Sequence, residues 1–213
     1  MKTLHEKVKF FVYILESPSP EDLFSNVSEG KMLEKILSLH NVKSVLRTVA
    51  NRDSFMKALT KDIYSQTTVH PDSMLIIHIS AHGNDDGLGL TSGEMIEWNE
   101  IVKLLEAINL KMENTLLICL SACKSSSACT MALHGRKPFL GMIANKGKPT
   151  WPETATAYSC FYHLFSKGHN FTNAVKGMCM ASDNDDFVFA TINDIQYVET
   201  IIKNQNPKED PTG

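Results

Sequence analysis

Short apolar runs alternate along this chain with segments of helical periodicity. Val8–Leu15 (VKFFVYIL) is β-branched and aromatic and reads as a buried strand. Ser17-Pro18-Ser19-Pro20 ends it, and Glu21-Asp22 open a helical pattern to about His40, with Leu33, Ile36, Leu37 and Leu39 on the apolar side. Ser44–Ala50 is a second strand. Asp53 is expected to cap a helix carrying Phe55, Met56, Leu59 and Ile63 at helical spacing. Strand three, Met74–Ser80, follows Pro71-Asp72. Past a glycine-rich turn, Leu88–Leu90 and Met95–Glu97 read as a small hairpin around Ser92-Gly93.

Asn99 is expected to start an amphipathic helix through Ile108. Strands follow at Thr115–Leu120, Phe139–Ala144 and Phe187–Ile192, with a helix within Lys124–His134 and two more at Thr154–Ser166 and Phe171–Ser182. Asn145–Pro152 is a loop. Such alternation predicts an α/β fold: helices on both faces of a mostly parallel sheet of about six strands. Residues 1–202 are expected to form one domain and Lys203–Gly213 a polar, disordered tail.

With 213 residues, the chain has the length of one domain and needs neither disulfide nor metal to bury a core. A formal net charge of −3 gives no electrostatic reason to expect nucleic acid as a direct partner. The longest apolar stretch near the start is too short to span a bilayer and lacks a secretory cleavage pattern, so no membrane contact is expected. Five cysteines without regular spacing suit a reducing, cytoplasmic setting better than a disulfide framework.

Two of the apolar runs stop abruptly at reactive side chains. HISAHG (His78–Gly83) ends in a histidine and a glycine, and LLICLSAC (Leu116–Cys123) ends in a cysteine. Ligands of open α/β sheets sit beyond the carboxyl ends of the strands, and neighbouring strands lie about 4.8 Å apart. His82 and Cys123 can therefore act on one bond, as general base and nucleophile. Gly83 permits close backbone approach, and the amides of Gly83 and Cys123 are candidate donors to an oxyanion. A helix starting at Lys124 would favour the thiolate through its dipole. The competing reading makes Cys123 a buried packing residue and His82 a loop histidine; the paired strand-end context weighs against it.

Cys119 and His78 lie mid-strand and read as core. Cys129, Cys160 and Cys179 fall on expected helices, and His134, His163 and His169 have no evident partner. HxxxH and CxxxC together also count out a zinc ligand set, but residues four apart on a strand are about 13 Å distant. No metal and no cofactor is expected.

HISAHG and LSAC resemble the histidine-glycine and alanine-cysteine motifs of the caspase-like cysteine peptidases. The 41-residue separation of His82 and Cys123 is of the order of the ~50 found in caspases. LSAC and the stretch Trp151–Ala181 are similar to the CHAT-type branch. The resemblance spans roughly Val8 to Ile192 and implies a three-layer αβα sandwich. It also implies a cysteine endopeptidase acting on protein substrates through a Cys123–His82 dyad, with Gly83 as oxyanion donor. Ser121, two before the cysteine, is implied to line the P1 pocket. Trp151, in a loop with Lys146 and Lys148, is a candidate wall. Asp85 and Asp86 are either solvated turn residues or a face for a basic residue, the first being favoured. Family-level expectations are a regulatory protein acting in trans and a role in bacterial defence or cell death; the alternative is a catalytically idle adaptor that binds partner proteins.

Overall fold

A computed structural model describes residues 8–128 and 136–197 of the chain. The chain first forms β1 (Phe10–Ser17), in which all eight residues are buried. A strand covered on both faces must be apolar on both, which is why the sequence here runs continuously rather than alternating. β1 pairs in parallel with β2 (Lys43–Thr48) and with β3 (Met74–Gly83). Beyond β3 come β6 (Leu117–Ser121), β7 (Gly141–Asn145) and β8 (Phe187–Thr191), giving the order β2-β1-β3-β6-β7-β8. Along this six-strand path only β8 runs antiparallel to its neighbour. The expected mostly parallel sheet of six strands is the one observed.

The two-residue period of the strands divides the core into two layers. Phe11, Tyr13, Leu15, Ile77, Ile79 and Leu120 face one side. They pack on α3 (Arg52–Lys57), which continues through a π-helical turn (Ala58–Asp62) into α4 (Ile63–Val69), and on α5 (Trp98–Lys111). Val12, Ile14, Ile76, Leu117, Cys119 and Ile143 face the other. That layer is closed by α2 (Glu29–Leu39), α6 (Trp151–Ser166) and α7 (Phe171–Ser182).

Four local departures from expectation have physical causes. The helix expected from Glu21 to His40 is two helices, α1 (Pro20–Phe24) and α2. Between them Asn26 takes a left-handed backbone (φ 54°), and Ser28 caps α2 by accepting from the Lys31 amide. Asn51, not Asp53, caps α3, exchanging hydrogen bonds with Ser54 in a capping box. β3 runs three residues past Ser80, because His82 and Gly83 pair antiparallel with Gly89 and Leu88 of β4 (Gly87–Gly89). β4 and β5 (Met95–Glu97) form the expected hairpin. α6 begins at Trp151 rather than Thr154, started by Thr150 and Glu153 in a second capping box with Pro152 in the first turn. The expected tail Lys203–Gly213, and Cys129 and His134, lie outside the described residues.

Candidate active site

Register decides what meets at the carboxyl rim of the sheet. Ser80 of β3 stands opposite both Glu16 of β1 and Ser121 of β6. Two residues beyond those serines come His82 and Cys123. The residue after the histidine packs against the cysteine peptide: a Cβ added at Gly83 would lie 2.7 Å from the Cys123 carbonyl oxygen, 3.1 Å from the Ala122 Cβ and 3.6 Å from the Cys123 amide nitrogen. Only a residue without a side chain tolerates that approach, which is the physical reason for the glycine after this histidine. His82 and Cys123 both line one cleft of about 370 Å³, together with Ala81, Ser121, Trp151 and Thr154 among others.

The cysteine sits in a tight turn tied to β7. Lys124 takes a left-handed backbone (φ 55°), and its amide donates to the Gly147 carbonyl at 2.9 Å. The Ser126 amide donates to the Asn145 carbonyl at 3.1 Å, and the Asn145 amide donates to Ser125 Oγ at 2.9 Å. A left-handed residue cannot belong to a helix. The helix expected within Lys124–His134 therefore excludes Lys124 itself, and the dipole argument for the thiol does not apply from that residue. Residues 127–128 are helical, and residues 129–135 lie outside the described residues.

His82 is more than half exposed, with its Nε2 3.7 Å from Asp22 Oδ2 on α1. Its ring stands edge-on to Trp151 at 6.0 Å between centroids. Asp22 was not foreseen. It lies 60 residues upstream, and its local signal is only that of an acid in a first helical turn, where Ser19 Oγ also donates to it at 2.8 Å.

A buried carboxylate lies under the cleft, also unforeseen. Ser121 Oγ and Ser80 Oγ each donate to Glu29 Oε2 at 2.7 Å. Glu29 Oε1 is 3.7 Å from His78 Nε2, and neither of those two atoms has a hydrogen bond among the described residues. The other nitrogen of His78 is 3.1 Å from the Tyr162 hydroxyl. Next to this cluster Glu16 accepts from Ser28 Oγ at 2.6 Å and from the Gly30 amide at 2.9 Å. The start of α2 is thereby fastened to β1, β3 and β6. The Ser28-Glu29 pair is a legible cap signal; that the glutamate turns inward is not.

Ser121 is 3% exposed and forms part of the cleft floor. Trp151 stands in the wall with Pro149, Thr150 and Pro152, whereas Lys146 and Lys148 of the same loop do not line the cleft. Asp85 accepts from Ser127 Oγ at 3.3 Å, linking the turn before β4 to the segment after Cys123. The other described cysteines lie away from the cleft. Burial pushes the Cys119 thiol up to about 12 and raises those of Cys160 and Cys179.

A parallel sheet of this order, with a histidine-glycine and an alanine-cysteine meeting at its carboxyl rim, has the layout of a caspase-like cysteine peptidase. Residues 25–205 match the model of the peptidase C13 family, and the chain belongs to that family, within the caspase-like clan. It is accordingly a cysteine peptidase, and a protein substrate is implied. No curated protein shows a significant match. The family match does not support placement in the CHAT-type branch. LSAC is a strand end followed by small residues, and Trp151–Ala181 forms the packing helices α6 and α7. Neither carries a branch-specific contact. No helix among the described residues is long and apolar enough to cross a membrane.

Proposed function

We propose that Cys123 is the nucleophile and His82 the general acid–base of an endopeptidase. His82 takes the Sγ proton, and the thiolate adds to the scissile carbonyl carbon. The amides of Gly83 and Cys123 donate to the resulting oxyanion. Collapse breaks the C–N bond, and the departing amine takes its proton from His82. Water, deprotonated by the same imidazole, then hydrolyses the thioester and regenerates the thiol. Asp22 acts as a positioning residue: it holds Nε2 of the ring and stabilises the imidazolium, leaving Nδ1 for the thiol. Ser121 and Trp151 bound the P1 subsite. The expectation of a regulator in trans and of a defence role rests on the resemblance alone and forms no part of this proposal.

The observation that carries the reading is the contact between Gly83 and the Cys123 peptide, with both reactive side chains opening into one cleft. The test compares new protein N-termini generated in a proteome by the wild-type chain and by Cys123→Ala. N-termini that appear with the wild type and vanish with the variant are expected; the same set from both refutes the assignment.

A further inference from the structure

Three hydroxyls line the cleft, those of Ser121, Thr150 and Thr154, and the proton of each is committed elsewhere. Ser121 Oγ donates to Glu29 Oε2 at 2.7 Å, and Thr150 Oγ1 donates to Glu153 Oε2 at 2.6 Å. Thr154 Oγ1 donates to the Trp151 carbonyl at 3.0 Å. A hydroxyl has one proton and two lone pairs, so all three present acceptors to whatever enters. Two of the three are backed by carboxylates. The Thr150 hydroxyl and amide hold the Glu153 carboxyl below its usual range, so it stays charged and offsets the positive end of α6. No lysine, arginine, aspartate or glutamate side chain lines the cleft among the described residues.

An aspartate or glutamate side chain would find no lysine, no arginine and no free hydroxyl proton among the described residues here. An asparagine amide would satisfy its N–H groups and leave its carbonyl oxygen without a hydroxyl donor. A guanidinium or ammonium carries donors only and suits acceptors backed by negative charge. Trp151 adds an aromatic wall for a cation.

Taking Cys123 as the nucleophile, we infer that the cleft is an S1 subsite for a basic P1 side chain, arginine or lysine, met by acceptor-only hydroxyls and by the carboxylate of Glu29 behind Ser121. The test uses peptidyl acyloxymethyl ketones identical except at P1, carrying arginine, lysine, asparagine or aspartate. The rate of adduct formation is read at each cysteine by peptide mass mapping. Modification of Cys123 at least tenfold faster by the arginine or lysine probe than by the asparagine and aspartate probes is expected. In Ser121→Ala and in Glu29→Gln that ratio falls severalfold, with the Ser121 variant standing in if Glu29→Gln does not fold. Equal or faster labelling by the asparagine or aspartate probe overturns the basic subsite and leaves the nucleophile assignment standing. Adducts that form on other cysteines and never on Cys123 overturn both.

Discussion

β3 carries a histidine twice, four positions apart, and the segment through and just past β6 carries a cysteine twice at the same spacing. His78 and Cys119 stand opposite one another in the middle of the two strands; His82 and Cys123 lie at and beyond their ends. The inner pair is fully buried, and burial keeps the Cys119 thiol protonated by pushing it up to about 12. The outer histidine is more than half exposed, and its partner cysteine lines a cleft. On the proposed assignment, chemistry follows depth in the sheet rather than residue type. The inner pair fills space beside Glu29, and the outer pair has the access that a peptide bond requires.

The contrast is broken most directly by exchanging which pair is damaged. Cys123→Ala is expected to lower kcat/KM on a cleaved protein by about 10³-fold or more, with its unfolding midpoint in urea near that of the wild type. Cys119→Ala is expected to do the reverse, leaving kcat/KM within a few-fold and costing ~1–2 kcal/mol of stability through lost packing. Next in size is Gly83→Ala. Its Cβ cannot coexist with the Cys123 carbonyl at 2.7 Å, so the turn must shift. Loss of oxyanion alignment is expected to cost about 10²-fold in kcat with KM little changed.

Glu29→Ala sharpens the structural half of the comparison. It leaves two buried serine hydroxyls without their acceptor, and a loss of about 3 kcal/mol in urea unfolding is expected. A smaller effect is expected from Asp22→Asn: roughly a tenfold fall in kcat with KM little changed, as the ring loses its positioning partner.

The buried thiol also sets a pH dependence of stability. The folded state holds the Cys119 proton up to about 12, against a reference of 9.0 for a free thiol. Below pH 9 both folded and unfolded thiols are protonated and this contribution is complete. As pH rises from 9 towards 12 the unfolded state ionises first, and stability falls. Urea midpoints of wild type and Cys119→Ala are expected to converge as pH rises above 9 and then to cross, the variant becoming the more stable before pH 12.

Much of this arrangement is legible in the residues themselves. The runs around Ile14, Ile77 and Ile118 carry apolar residues on both faces, His78 excepted, because both faces of those strands are covered, so strand identity and a parallel sheet follow. His82, Gly83 and Cys123 stand out because each ends an apolar run. What escapes a sequence reading is contact across long separations. Glu29 meets Ser121 from 92 residues away, and Asp22 meets His82 from another layer of the fold. No periodicity announces that a glutamate in a first helical turn will point inward. The break between α1 and α2 is hidden for a related reason: Asn26 and Ser28 are ordinary polar residues until the left-handed backbone and the cap are seen. The extension of β3 past Ser80 likewise depends on the hairpin that pairs with it.

Site-resolved alkylation tests the union of thiol and imidazole most directly. Iodoacetamide is applied to the folded chain between pH 5 and 9, with each cysteine quantified by mass mapping, in wild type and in His82→Ala. Cys123 is expected to react ahead of Cys119, Cys160 and Cys179, and its rate below pH 8 to drop severalfold when the imidazole is removed. Faster reaction at Cys119, or a Cys123 rate indifferent to His82, would contradict that union.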